Sequence, residues 1–229
     1  MTIALVIVLV VSGVALAANA VTTTSNAGTR AVVLFVGDSN IVLSVESVNN
    51  ELTHGSHFDN GYVPILAARV GAGIRTPDCL DEATCTSWNY WRLKLPTLLP
   101  QIQLDAIVSN LGIVDTRVEG TQYTRVYAYY DRKINWFMNI VGSRPVFWTS
   151  LPCAIEPRDR QTGCKAINLA LHLAVERWPN LHVLKWGTAA ERHPEYMKNP
   201  GTDVHYSPAG QAAWSKFVVA ALDAHFPKP

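Results

Sequence analysis

The apolar run Val32-Val33-Leu34-Phe35-Val36 stops at Gly37-Asp38-Ser39-Asn40, and that junction limits the folds open to this chain. β-Branched and aromatic residues without polar alternation make a strand buried on both faces, and Gly-Asp-Ser-Asn supplies a turn and a helix start. Ser39 falls at the turn. The first N–H groups of a helix lack intrahelical partners and carry the positive end of the helix dipole. An oxyanion formed on a group attacked by Ser39 Oγ would therefore meet donors there. Two readings are open at this point: Asp38 and Ser39 cap the helix, or Ser39 is a nucleophile.

Similar strand exits recur along the chain. Leu104–Gly112 reads as a strand that leaves through Gly112-Ile113-Val114-Asp115, and Arg144–Pro152 and Leu181–Trp186 read as further strands. Ile41–Leu52 is the first helix, and Trp88 to Ile102 is a Pro-interrupted helical segment. Tyr123–Val141 carries Val126, Tyr130, Ile134, Phe137, Met138 and Val141 at helical spacing, which predicts one core-facing stripe. Lys165–Trp178 is a helix stopped by Pro179, Glu191–Thr202 a polar loop, and an amphipathic helix runs on to Phe226. Val63–Val70 has helical character, with Pro64 in its first turn. Gly71-Ala72-Gly73-Ile74-Arg75 behind it suggests a connection into the second strand. Strands alternating with helices predict an α/β fold: a three-layer α/β/α sandwich around a five-stranded parallel sheet. Sites in such sheets lie at the carboxyl ends of the strands. That rule brings Ser39, Gly73, Gly112–Asp115 and the loop holding His205 to one rim.

With 229 residues, 48% hydrophobic and 16% charged, the chain suits one domain with a sizeable core. A net charge of +1 gives no reason to expect nucleic acid as a partner. Ile3–Ala18 is almost wholly apolar and is followed by small-x-small patterns, so residues 1–20 read as a signal peptide. An uncleaved anchor is the alternative, although the run is shorter than the ~20 residues of a spanning helix. Residues 21–30 form a polar leader and 31–229 the domain. Four cysteines agree with export, and Cys79–Cys85 with Cys153–Cys164 is the expected pairing. Neither spacing is of the CxxC type and no histidine stands beside it, which argues against zinc. His54, His57 and Asp59 lie in a Gly-rich stretch and read as surface residues. No metal or cofactor is expected. The protein is expected to be secreted or held in the cell envelope, with membrane contact only if the N-terminal segment stays attached.

A serine alkoxide needs a base near neutral pH, and histidine has the suitable pKa. His205 stands on a loop just before a helix, beside Ser207-Pro208 and Gly210, whereas His172 and His182 lie inside regular elements. Ser39 and His205 are therefore the candidate nucleophile and base, with the N–H groups of Ser39 and Gly73 aimed at the oxyanion. The Gly-x-Ser-x-Gly elbow of α/β-hydrolases is absent.

Gly37-Asp38-Ser39, a glycine after the second strand, Gly112-x-x-Asp115 and Val204-His205, taken in this order, resemble the four blocks of the SGNH (GDSL) hydrolases. The resemblance spans about residues 31 to 226. It implies a flavodoxin-like sandwich and hydrolysis of esters, lipids or acetylated sugars through a metal-free Ser-His-Asp triad. Two positions depart from the family pattern. Val114 stands where the family has the asparagine whose amide completes the oxyanion hole, and Asn110 and Asn40 are the candidates to compensate. Thr202 stands at the family position of the acid, three residues before the histidine, while Asp203 lies two before it. Asp203 orients His205, or a backbone carbonyl does so in a dyad. The expected function is an exported serine esterase acting on lipid or acetylated-glycan esters. The alternatives are an acyltransferase on sugar hydroxyls and a catalytically weak protein that binds glycans or acyl chains. Asn40, Asn110 and Tyr206 are expected to contact substrate, and Trp88, Tyr90 and Trp91 either line an apolar or sugar-stacking cleft or pack on the sheet.

Overall fold

The computed structural model describes residues 7–9, 31–55, 62–74, 90–117, 123–154 and 158–226. Its strands are β1 (Ile7–Leu9), β2 (Val32–Gly37), β3 (Val63–Ala68), β4 (Ala106–Ser109), β5 (Val146–Thr149) and β6 (Leu181–Leu184). Its helices are α1 (Ser39–Asn50), α2 (Tyr90–Leu98), α3 (Tyr123–Val141), α4 (Arg158–Ala174), α5 (Trp186–Glu191) and α6 (Pro208–His225). The strands are parallel and ordered β1-β3-β2-β4-β5-β6. β2 to β6 form the expected five-stranded sheet. β1 adds a short edge strand from the N-terminal apolar run, with Ile7, Val8 and Leu9 against Ile65, Leu66 and Ala67.

Strand geometry explains the two cores. Successive residues of a strand point to opposite faces. Leu34 and Val36 join a cluster with Ile107, Val146, Trp148 and the α3 residues Tyr130, Ile134 and Phe137. Val33 and Phe35 join the opposite cluster with Val108, Phe147 and the α6 residues Trp214, Val218 and Leu222. All six residues of the predicted α3 stripe are buried. The result is a sheet covered on both faces, the three-layer α/β/α sandwich read from the sequence.

Three boundaries differ from the sequence reading. Val63–Ala68 is strand β3, not a helix. Its apolar run has no distinguishing period, and pairing with β2 and β1 on its two sides decides its conformation. Pro64 sits near the strand start, directly after the bond from Val63 N–H to Ala31 C=O at 2.9 Å. Helix α4 begins at Arg158 and ends at Ala174, ahead of the predicted Lys165–Trp178. The Glu191–Thr202 loop also contains the end of α5 and a 3₁₀ turn at Pro194–Tyr196. Cys153 and Cys164 form the expected disulfide, which ties the segment after β5 to α4. Cys79 and Cys85 lie outside the described residues, as do His57, Asp59 and Trp88. No helix among the described residues is long and apolar enough to cross a membrane.

Chain order and sheet order together locate the functional rim. From β2 the chain moves to β3 on one side, then returns to β4 on the other, so the topological switch lies between β2 and β4. Crevices at the carboxyl ends of strands open at such points. Ser39 follows β2 and the Asn110–Asp115 turn follows β4.

Candidate active site

Ser39 is the first residue of α1. Asp38 is its N-cap, with extended backbone and a side chain that accepts the Asn40 N–H at 2.9 Å. Gly37 has no room for a side chain, because a Cβ there would lie 2.2 Å from Ile41 Cγ1. Ser39 Oγ lies 2.9 Å from His205 Nε2. On the other side of the ring, Nδ1 lies 2.6 Å from Asp203 Oδ1. The same carboxylate oxygen accepts the His205 backbone N–H at 3.1 Å, and Asn199 Nδ2 donates to Asp203 Oδ2 at 3.4 Å. An ionised carboxylate only accepts, so Nδ1 carries the hydrogen and Nε2 is left to accept from Ser39 Oγ. Partial burial pushes Asp203 up, but the backbone N–H and ring of His205 outweigh it and hold the carboxyl below its usual range. An acid two residues before the histidine thus reaches the ring without help from Thr202, whose hydroxyl donates to Asn199 C=O at 3.4 Å.

The remaining blocks meet around this group. Ile74 N–H donates to Asp115 Oδ2 at 3.4 Å, and Gly73 C=O accepts the Trp91 N–H at 3.3 Å, so the Gly73 peptide is held from both sides. Trp91 Nε1–H donates to Gly37 C=O at 3.0 Å. Gly112 has φ +135°, and a Cβ there would stand 3.0 Å from Tyr130 Oη and Leu151 Cδ1. The turn after Gly112 is tied down by Arg160, whose Nε donates to Thr116 Oγ1 at 3.1 Å and whose guanidinium reaches Ile113 C=O at 3.4 Å. Val114 is half-buried and packs against the α3 core. It offers no donor at the position where the resemblance expects an amide.

The side chains expected to contact substrate lie beneath the rim instead. Asn40, Asn110 and Tyr206 are only 2%, 1% and 2% exposed, because each is used in holding the site together. Asn40 spans both sides of His205, donating to Val204 C=O and accepting from Tyr206 N–H, each at 3.1 Å. Asn110 Oδ1 accepts from Thr149 Oγ1 at 3.0 Å and Tyr206 Oη at 3.5 Å, while its buried Nδ2 makes no hydrogen bond among the described residues. Tyr90 and Trp91 are likewise buried and join the core cluster, the packing alternative for these aromatics. The structure adds two supports that the sequence reading missed, Trp91 on Gly37 and Arg160 on the Gly112 turn. Neither carries a spacing signal, since the contacts join distant elements. Among the described residues no group of three His, Cys, Asp or Glu side chains could hold a metal ion.

Asp38 is fully buried beneath the first turn of α1. Burial pushes its carboxyl up to about 7, against the opposing Asn40 N–H and Arg160 charge, and its buried Oδ2 has no hydrogen bond among the described residues. A carboxyl raised in the fold binds its proton more tightly than in the unfolded chain. Its contribution to stability is complete below about pH 4 and is lost as pH rises through about 7. Asp38→Asn keeps a good N-cap and removes the titration. The variant should gain up to about 4 kcal/mol over wild type between pH 4 and pH 8, read as diverging urea midpoints. Parallel curves would mean that Asp38 stays ionised in the fold.

The chain matches no protein-family model. It is 25% identical over 142 residues to the O-acetyltransferase OatA of Staphylococcus aureus (strain NCTC 8325 / PS 47), across 56% of this chain and 22% of that protein. The chain thus spans about a fifth of the length of the curated relatives it matches. Among solved structures, a lipase/acylhydrolase from Enterococcus faecalis superposes with a TM-score of 0.63 at 18% identity, covering 88% of this chain and 100% of that one. The C-terminal catalytic domain of Streptococcus pneumoniae peptidoglycan O-acetyltransferase A, solved with a methylsulfonyl adduct, gives 0.63 at 12% identity, covering 87% and 97%. The chain has the fold of these lipases, acylhydrolases and O-acetyltransferase domains, the SGNH (GDSL) fold that its four sequence blocks imply.

Proposed function

We propose that this protein is an SGNH-type serine esterase that cleaves carboxylic esters through an acyl-enzyme on Ser39. The observation that carries the reading is the unbroken line from Ser39 Oγ through the His205 ring to Asp203, with contacts of 2.9 Å and 2.6 Å. Ser39 Oγ attacks the acyl carbonyl while its proton passes to His205 Nε2. The developing oxyanion faces the N–H groups of Ser39 and Gly73. Collapse of the tetrahedral intermediate expels the alcohol, which takes the proton from Nε2, and leaves the acyl group on Oγ. A second oxygen nucleophile, again deprotonated by His205, releases the acid or the new ester and restores the serine. Asp203 stabilises the imidazolium in both halves.

The second reading has a sugar hydroxyl, not water, accept the acyl group. The similarity to OatA supports it and favours acetyl as the acyl group and a glycan as the alcohol. The Cys153–Cys164 disulfide supports a place outside the cytoplasm or in the cell envelope. p-Nitrophenyl acetate, offered with and without a chitooligosaccharide, tests both readings. Release of p-nitrophenol should depend on Ser39, and mass spectrometry should then find either free acetate alone or acetylated sugar. Equal release by wild type and Ser39→Ala would leave the fold as a binding scaffold.

A further inference from the structure

We infer that Asn40 is a positioning residue that holds His205 against Ser39. The inference rests on the reading of Ser39 and His205 given above. Asn40 directly follows Ser39 in the first turn of α1 and is almost fully buried. Its amide orientation is fixed by its partners: Val204 C=O can only accept and Tyr206 N–H can only donate, each at 3.1 Å. Those are the backbone groups on either side of His205. One planar amide, rigidly joined to the helix that carries the serine, therefore sets the height and tilt of the histidine.

The other bonds of this loop run elsewhere. His205 C=O accepts from Lys198 N–H at 2.9 Å, Tyr206 C=O from Gln211 Nε2 at 3.2 Å, and Ser207 N–H donates to Tyr196 C=O at 2.9 Å. These fix the loop to its own neighbours and to α6, but not to α1. Asp203 in turn uses one oxygen for both the ring and the backbone N–H of His205, a short-range geometry that sets the ring relative to its own loop only. Among the described residues Asn40 joins the backbone of that loop to α1 by hydrogen bonds, while Tyr206 Oη ties it to Asn110 after β4 at 3.5 Å. Misplacement of a catalytic group by about 1 Å costs on the order of 10²-fold in rate.

The test is a double-mutant cycle on the full chain, read as the rate at which a fluorophosphonate labels Ser39. Asn40→Leu, with Asn40→Ala as a second truncation should the leucine not fold, should slow labelling by about 10²-fold. In a His205→Ala background the same substitutions should change labelling less than about twofold, because a residue acting only through His205 has nothing left to position. An equal slowing in both backgrounds, or none in either, would overturn the inference. Hydrogen exchange of the 203–207 backbone gives a readout independent of chemistry. If wild type does not label, the nucleophile reading fails by itself. The clamp then stands on faster Tyr206 N–H exchange in the Asn40 variants and falls on unchanged exchange.

Discussion

Asp203→Ala should lower kcat on short p-nitrophenyl esters by a factor on the order of 10⁴, with little change in KM. The size of the effect follows from what one carboxylate does here. Oδ1 takes both the ring Nδ1–H and the backbone N–H of His205, so its removal frees the ring and favours the wrong tautomer at once. Asp203 is held below the usual carboxylate range by these contacts, so it remains an acceptor across the neutral pH range. Asp203→Asn separates the two roles, since an amide keeps the shape but carries no charge to stabilise the imidazolium. A fall of less than about tenfold for Asp203→Ala would mean that the histidine works in a dyad oriented by the backbone.

Val114→Asn should act in the opposite direction and raise kcat by about 10²-fold, the amount that one oxyanion donor is worth. The two asparagines able to compensate for the valine are both buried beneath the rim, and Asn40 has its amide N–H committed to Val204 C=O. Both polar ends of the Asn40 side chain are bonded to the His205 loop, and Asn110 lies buried with its carbonyl oxygen held by Thr149 and Tyr206. The gain carries a cost in stability. Val114 packs on the α3 core, and partly burying an amide there should destabilise the fold by about 1–3 kcal/mol, visible as a lower melting temperature. An unchanged kcat with that same loss of stability would mean that a further donor already faces the oxyanion.

The sheet and its helices were legible wherever the pattern had a period or a sharp end. α3 matched because a stripe at helical spacing needs a core to face, and β2 because its apolar run stops at a helix cap. β3 was not legible, because Val63–Ala68 is apolar throughout and Leu66-Ala67-Ala68 are good helix formers; only its partner strands reveal it. α4 was read too late in the chain because Gly163 and Cys164 look like loop residues. Gly163 is instead a helical residue at a close approach, where a Cβ would stand 2.8 Å from Thr116 C=O. The site was legible in its residue types and less so in its contacts. Ser39, His205 and Asp203 stand out as a turn serine, a loop histidine and a nearby acid. Asn40 reads as turn chemistry, a compensating donor or a substrate contact, so its bridge to the His205 loop needed the fold to become visible.

The central claim is that Ser39 is a nucleophile activated by His205, and intact-protein mass spectrometry after a fluorophosphonate tests it most directly. Wild type should gain the mass of one phosphonyl group, mapped to the peptide containing Ser39. His205→Ala should gain it at least about 10³-fold more slowly, and Ser39→Ala not at all. An unlabelled wild type, or a label that persists in Ser39→Ala, would contradict the account.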